Sequence, residues 1–270
     1  MIKKIKKTLI FSALSFSVAN SYEVCGIDKV GCSLISISPA IGYYKYEEPR
    51  IHTPQGQKYM NIKGVSFRLD GAYQYIDRNR VTLIVDGEFA FVNGKYDGFL
   101  QDGAPFQMSN DDSYILGVSP KVGYVFSWQG VGVNLTPFVG LGYRFLNNDT
   151  SGTSGGYQRI SNYFYIPVGI DFTWHKNKFM LQSKVELDGL IQGVQYSSVD
   201  GGVTNDQREG WGANAYVLLG RDQGGWAWLV GPYVKYWKIQ TSETSTGNTR
   251  GWIEPENNTL ESGVQLKFIF

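Results

Sequence analysis

The chain has 270 residues, with 25 Lys and Arg against 24 Asp and Glu, so its formal net charge is +1. This balance offers no electrostatic reason to expect nucleic acid as a partner. Glycine (33 residues) and aromatic residues (15%) are abundant, and there are only two cysteines. Length alone allows one large all-β domain or two ordinary domains.

The first residues have the pattern of a targeting segment. Residues 1–7 include four lysines, and residues 8–19 form an apolar run followed by small residues. We therefore predict a cleavable signal peptide over residues 1–21. The run is too short for a helix that crosses a bilayer, which needs about 20 apolar residues.

The two cysteines lie just after this segment, in residues 22–32, which we predict to be periplasmic. Export would place Cys25 and Cys32 in an oxidising compartment. There, a disulfide that closes a small loop is the expected state of such a pair.

From residue 33 onward the sequence alternates between apolar and polar residues in ten segments bounded by turn residues, a period typical of β-strands. The segments are 34–46, 64–76, 81–93, 114–128, 133–146, 160–174, 179–192, 211–219, 226–239 and 258–270. No other stretch is long and apolar enough for a membrane helix, so the chain would have to cross a membrane as strands. We predict an all-β fold over residues 33–270: a single antiparallel up-and-down transmembrane β-barrel of about ten strands, with eight or twelve as alternatives.

The predicted connections alternate in length. Those at 77–80, 129–132, 175–178 and 220–225 are short, and those at 47–63, 94–113, 147–159, 193–210 and 240–257 are long. The two kinds would lie at opposite ends of the barrel. Outer-membrane barrels have this asymmetry, with short periplasmic turns and long extracellular loops.

A soluble barrel with an apolar interior is the alternative. Side-chain size argues against it, because Leu135, Val139 and Leu141 are bulkier than Gly140 and Gly142 on the opposite face. A narrow barrel has less room inside than outside, so we expect the bulky apolar face to contact lipid. Aromatic residues near the strand ends predict two interfacial girdles: Tyr43, Tyr46, Tyr73, Tyr75, Tyr124, Trp128, Tyr143, Trp174, Trp226, Trp228, Tyr236 and Trp237.

Five prolines lie within predicted strands: Pro39, Pro120, Pro137, Pro167 and Pro232. A closed barrel has no free edge for a residue that lacks an N–H donor. We expect β-bulges to accommodate some of them.

The polar faces would bring charges of both signs into the lumen: Arg68, Asp70, Asp86, Glu88, Lys121, Arg144, Asp171, Lys184, Glu186, Asp188, Lys235, Glu261 and Lys267. We expect a mutually paired network that fills a narrow barrel, because charges removed from water need partners. The alternative is a water-filled, porin-like passage for small solutes. Ten strands are marginal for that, since wide channels have about sixteen or more.

Three stretches carry a resemblance to a known family. Residues 136–145 (TPFVGLGYRF), residues 162–172 (NYFYIPVGIDF) and the ending with Val264, Leu266, Phe268 and Phe270 resemble small Gram-negative outer-membrane barrels of the opacity-protein and OmpA-transmembrane-domain type. The resemblance implies that Val264, Leu266, Phe268 and Phe270 form the signal for the barrel assembly machinery. From the predicted barrel we also expect a monomer in contact with outer-membrane lipid and lipopolysaccharide, with loops that are candidates for binding a host or surface ligand.

An outer-membrane enzyme is the hypothesis from another class, because some barrels of this size are proteases or lipid-A-modifying enzymes with a catalytic His at the outer rim. His175 lies in a predicted periplasmic turn, so His52 is the only candidate base, with Asp102, Asp111 and Asp112 as candidate partners. A lone loop histidine is more often simply solvated. We predict no catalytic site, no metal site and no cofactor, and a structural, adhesive or weakly porin-like role.

Overall fold

The computed structural model describes residues 30–53, 56–100 and 103–270. The signal peptide, Cys25 and Asp102 lie outside the described residues, so the cleavage and the disulfide stay predictions. The side chain of His52 is likewise not described. No helix in the described ranges is long and apolar enough to cross a membrane.

The described elements are strands, apart from one 3-10 turn at Gln129–Val131. In chain order they are β1 (Cys32–Thr53), β2 (Gly56–Ile76), β3 (Val81–Phe99), β4 (Pro105–Tyr124), β5 (Phe126–Trp128), β6 (Val133–Gly140), β7 (Gly142–Asp149), β8 (Gln158–Lys176), β9 (Phe179–Ser197), β10 (Val203–Gln207), β11 (Gly210–Asp222), β12 (Ala227–Ile239), β13 (Ser245–Thr246), β14 (Gly251–Trp252) and β15 (Asn257–Ile269).

Antiparallel pairing closes the large sheet into a barrel. The strand lines that form the wall pair in up-and-down order, and β15 pairs with both β12 and β1, so that Tyr44 lies opposite Glu261. β5 continues the line of β4, β6 and β7 form one line, and β10 and β11 form another. Over the described residues the wall therefore has ten positions. The predicted all-β, up-and-down barrel is confirmed.

Three of the predicted long loops are mostly strand. In the stretch 193–210, β9 continues to Ser197 and β10 covers Val203–Gln207. β1 runs to Thr53 and β2 starts at Gly56, whereas the sequence suggested a loop over 47–63. β3 and β4 likewise extend through most of 94–113, which places Asp111 and Asp112 in β4 rather than in a loop. The prediction was wrong because backbone pairing across a hairpin continues even where the side chains no longer have an apolar face.

The outer face of the barrel carries a continuous apolar band. On β2, Val65, Phe67 and Leu69 are about half exposed, whereas the alternate residues Ser66 and Arg68 are buried. Ten residue steps separate Val65 from Tyr75 on this face. At about 3.3 Å per step and a tilt near 40°, they span roughly 25 Å of membrane thickness. The apolar side of each strand therefore faces outward.

The prolines of β1 and β12 each face a gap in one flanking ladder. Pro39 is in register with Leu69 on β2, but the ladder from β1 to β15 skips residues 38 and 39. Pro232 is in register with Val264 on β15, and the ladder from β12 to β11 skips residues 231 and 232. The missing N–H donor thus falls where the ladder is already interrupted.

The other three prolines face two breaks in the wall, one between β6 and β7 and one between β4 and β5. Pro120 and Pro167 face the first break at Leu141, whose N–H donates to the carbonyl of Pro120 at 3.0 Å. Pro137 faces the break between β4 and β5. The prolines therefore lie beside interruptions of the ladders. The register is the same on both sides of each of these gaps, so they are not the β-bulges that were expected.

Candidate functional site in the barrel interior and its outer cavity

The interior is built in layers, beginning with an apolar layer near the short turns. It consists of buried side chains from β9, β11, β12 and β15: Met180, Leu218, Ala227, Leu229 and Ile269. Leu34 and Tyr216 pack against it. These inward apolar residues were missed by the sequence analysis, which assigned apolar residues to the outer face.

A charged layer follows, and Arg68 is the centre of its first cluster. The Arg68 guanidinium contacts both carboxylate oxygens of Glu261 and donates to Asp70 Oδ1 at 3.2 Å and to Glu88 Oε2 at 2.8 Å. Lys235 Nζ contacts Glu88 Oε2 at 2.6 Å and lies 3.6 Å from Asp70 Oδ2. Two cations thus hold three carboxylates, an arrangement that offsets the cost of removing them from water.

A second cluster joins side chains of β3 and β4 to side chains of β9. Lys121 and Lys184 both contact Asp86 Oδ2, at 2.7 and 2.9 Å, and both also pair with Glu186. Asn214 Nδ2 donates to Glu186 Oε1 at 2.7 Å and to Asp188 Oδ2 at 3.3 Å. Most polar atoms of this cluster therefore have partners.

The remaining predicted lumen charges also point inward. Asp171 Oδ1 accepts from the Tyr216 hydroxyl at 3.5 Å, and Lys267 Nζ lies 3.5 Å from the same hydroxyl. The Arg144 guanidinium lies 5.9 Å from the Tyr163 ring and 5.6 Å from the Trp237 ring. The structure thus brings all thirteen predicted residues into the interior. All but Lys121 and Asp171 line a chamber of about 110 Å³.

Aromatic and aliphatic side chains close the barrel above the charged layer. One cluster contains Tyr44, Tyr46, Met60, Ile62, Ala90, Val92, Ile115 and Leu146, and the other contains Tyr163, Tyr165, Trp237 and Ile239. We call these two clusters together the aromatic layer. A cavity of about 10 Å³ lies between the first cluster and polar side chains that include Asn148, Arg159 and Gln195.

Two residues of the aromatic layer correct the girdle prediction. Tyr46 and Trp237 were assigned to the interfacial girdles, but both are buried inside the barrel. The alternation itself carried the signal, because Tyr46 shares its face with the buried Ser36 and Ser38. By contrast Tyr43, Tyr73, Tyr75, Tyr124, Trp128 and Trp226 lie on the outer surface.

An outer cavity of about 590 Å³ opens beyond the aromatic layer, at the long-loop end. The extended hairpins form its wall, which includes the aromatic side chains of Tyr96, Phe99, Phe106, Tyr157 and Trp252. Glu48, Arg159 and Glu254 also line it. Sequence reasoning missed this cavity because its residues were assigned to loops.

Charged side chains form part of the cavity lining. Arg159 pairs with Glu48, and the Tyr46 hydroxyl donates to Glu48 Oε1 at 2.9 Å. Glu254 is only 6% exposed. Burial, and then repulsion from Glu48, raise the pKa of Glu254 to about 8, and the charge of Arg159 offsets part of this rise.

A hairpin formed by β13 and β14 lies beside the cavity and is attached to the loop after β9. Asp200 Oδ2 accepts from the Thr249 N–H at 2.9 Å and from Trp252 Nε1 at 2.8 Å. Asp200 Oδ1 accepts from the Thr249 hydroxyl at 2.9 Å. These bonds hold Trp252, and with it one wall of the cavity.

The candidate catalytic residues are not assembled into a site by the described side chains. Asp111 Oδ1 accepts from Asn148 Nδ2 at 2.6 Å, whereas Asp112 Oδ1 accepts from Asn93 at 2.8 Å. His175 lies at the opposite, short-turn end, 3.4 Å from Asp222. Among the described residues no group of His, Cys, Asp and Glu has the arrangement of a metal site.

The predicted assembly signal lies on β15 and just after it. Val264 and Phe270 are about half exposed, and Leu266 and Phe268 are partly buried. β15 completes the barrel between β12 and β1. The recognition of these residues by the assembly machinery stays a prediction.

A closed antiparallel barrel with an apolar band outside and charges inside has the architecture of an outer-membrane protein, and this chain is an integral membrane barrel of that class. No family model matches the chain, and no curated protein matches it in sequence.

The chain is similar in fold to three solved outer-membrane proteins. For OprG from Pseudomonas aeruginosa, the identity is 8% over 93% of this chain and 98% of that chain, with a TM-score of 0.41. A major outer membrane protein from Thermus thermophilus is 12% identical over 87% of this chain and 99% of that chain, with a TM-score of 0.39. Neisserial surface protein A is 13% identical over 87% of this chain and 97% of that chain, with a TM-score of 0.30. At these identities and TM-scores the likeness carries no argument about activity.

Proposed function

We propose that the protein is a closed, non-catalytic outer-membrane scaffold whose long-loop end recognises a surface or host ligand. The observation that carries this proposal is the layered interior. Apolar side chains lie both below and above the charged layer, and the chamber between them holds about 110 Å³. A filled lumen stiffens the wall, and the rigid wall then presents the outer hairpins to the medium.

The pairing of the lumen charges supports the scaffold over the porin. Arg68 and Lys121 are each almost fully buried and contact more than one carboxylate. A selective pore instead needs charged groups that face a hydrated path and exchange partners with passing ions. The sequence resemblance to opacity-protein barrels, which the three stretches described above carry, supports the same role.

The second candidate is a narrow channel, which the central polar chamber favours. Conductance in planar bilayers distinguishes the two functions. We expect no open steps from the purified wild-type barrel, because two apolar layers interrupt any water path. Frequent open steps from the wild type would contradict the scaffold and support the channel.

A pair of variants sharpens this experiment. Tyr44→Ala with Leu229→Ala removes one inward side chain from each apolar layer, and we expect it to give open steps. Tyr43→Ala with Val230→Ala removes the outward neighbours, and we expect it to remain silent. Equal behaviour of the two double variants would show that the layers do not close the lumen.

The partners follow from the same architecture. We propose contact of the apolar band with outer-membrane lipid and lipopolysaccharide, and insertion by the barrel assembly machinery through the ending at Phe270. The sheet closes on itself over the described residues, so no partner strand is needed to cover an edge. A monomer is therefore the proposed state.

A further inference from the structure

We propose that the outer cavity binds a small organic cation with an apolar body. This inference deepens the recognition role proposed above and rests on it. The two fail separately, because conductance tests the closed lumen whereas cation binding tests the outer cavity.

The size of the cavity fits a small molecule. Its volume of about 590 Å³ lies within the range of roughly 300–1,000 Å³ that is typical of small-molecule sites. Such sites combine an apolar wall with a few polar groups that orient the ligand. Here the wall is aromatic and one of the polar groups is a carboxylate.

That carboxylate, Glu254, is incompletely paired. Its Oε1 is buried and accepts no hydrogen bond from the described residues. Gln195 is near enough to lower the pKa of Glu254, but its Nε2 does not reach Oε1 with hydrogen-bond geometry and also has no partner among them. A buried carboxylate without a cation is costly, so the cavity favours a positively charged guest.

The nearest cation of the protein is already engaged. Arg159 pairs with Glu48 and bonds to Asn148 Oδ1 at 3.4 Å. The cavity therefore has two buried carboxylates, Glu48 and Glu254, for one buried guanidinium. The exposed Arg250 and the partly buried Glu256 also line the cavity and carry opposite charges. When Glu254 is ionised, the lining therefore has a surplus of negative charge, which disfavours an anionic ligand.

The aromatic wall adds a second attraction for a cation. Ring faces attract cations within about 6 Å of their centroids. Protein cations already use this attraction here, since Arg250 lies 4.1 Å from the Trp252 ring and Arg159 lies 5.8 Å from the Tyr157 ring. Tyr96, Phe99 and Phe106 supply further rings around the same volume. An apolar body would pack against them.

The test is a calorimetric titration of the full barrel in a non-ionic detergent with benzyltrimethylammonium, which is cationic at every pH. It is run at pH 9, where Glu254 is ionised. The other charged or titratable groups that act with Glu254 are Tyr46, Glu48, Tyr157, Arg159 and Tyr163. We expect saturable binding to the wild type, with benzyl alcohol and phenylacetate binding more weakly.

Glu254→Gln should weaken benzyltrimethylammonium binding by about tenfold or more, because it removes the charge and keeps the shape. Glu243→Gln is the matched control: it lies in the same loop, its side chain is 73% exposed, and it should leave binding unchanged. If Glu254→Gln fails to fold, Tyr96→Leu should still weaken binding by about threefold.

Three results would overturn the proposal. The first is no saturable binding of benzyltrimethylammonium to the folded wild type. The second is equal binding by the wild type and Glu254→Gln. The third is binding of benzyl alcohol or phenylacetate as tight as that of the cation, which would show an apolar or anion-selective cavity instead.

Discussion

The charged layer and the outer cavity both contain buried carboxylates and cations, but the two regions differ in how completely these charges are paired. In the charged layer, Arg68 and Lys235 hold the carboxylates of Asp70, Glu88 and Glu261 within a nearly filled space. In the outer cavity, one buried guanidinium serves two buried glutamates, and about 590 Å³ stays open beside them. In the charged layer, Asp188 Oδ1 is buried without a hydrogen-bond partner among the described residues, but the other carboxylates of its two clusters pair with cations. Nearly complete pairing with little volume indicates a structural role, whereas unsatisfied charge beside a large open volume indicates a binding site.

The largest expected effect tests the structural role of the charged layer. Arg68→Leu leaves three carboxylates without their shared cation, and we expect it to lower the free energy of unfolding by about 3–5 kcal/mol. Urea unfolding in lipid vesicles, followed by tryptophan fluorescence and heat-modifiable gel mobility, measures it. Arg78→Leu, an exposed arginine in a short turn, should have little effect. If both variants lost the same free energy of unfolding, the charged network would have no special structural role.

An intermediate effect is expected at the outer cavity and depends on pH. The pKa of Glu254 is raised from 4.5 to about 8 in the folded protein, so ionisation favours the unfolded state. The stability that the protonated Glu254 contributes is complete below about 4.5 and is lost as pH rises through about 8. Glu254→Gln should therefore become progressively more stable than the wild type over this window.

Unfolding by urea at several pH values between 4 and 9 measures this difference. Glu243→Gln, in the exposed part of the same loop, should follow the wild type at every pH. A constant gap between Glu254→Gln and the wild type would mean that Glu254 titrates normally and that the cavity carries no unsatisfied carboxylate.

The smallest expected effect concerns the hairpin beside the cavity. Asp200 has a φ of 50°, a conformation that asparagine tolerates, so Asp200→Asn should keep the backbone and weaken only the bonds to Thr249 and Trp252. We expect global stability to be unchanged and tryptic cleavage after Arg250 to become about threefold faster. Asp149→Asn, at the exposed end of β7 where another long connection begins, is the control. Unchanged cleavage would mean that Asp200 does not hold the hairpin.

Much of the wall was predictable because strand alternation is a local property. Phe67 and Arg68 are neighbours in sequence, so the choice of lipid or lumen for one decides the other. The same rule placed all thirteen charged residues inside. It also held for Tyr46, where the position of an aromatic residue near a strand end was given more weight than its place in the alternation.

The outer cavity was less predictable because its parts are distant in sequence and lie in segments with loop composition. Glu48 and Arg159 are separated by 111 positions, and Glu254 comes from the last long connection. No local sequence pattern indicates that β1 and β2 continue as a hairpin beyond the apolar band. Pairing between the two strands maintains that extension, and the pairing is visible only in the folded chain.

The strand count, the alternation and the entry of the thirteen charged side chains into the lumen follow from the order of residues alone, because they depend on a period of two along each strand. Which inward residues share a level was decided by folding, since that depends on the stagger between strands around the closed barrel. This stagger places Arg68 beside Glu261, stacks Tyr163 near Trp237 and leaves Glu254 buried beside an open cavity.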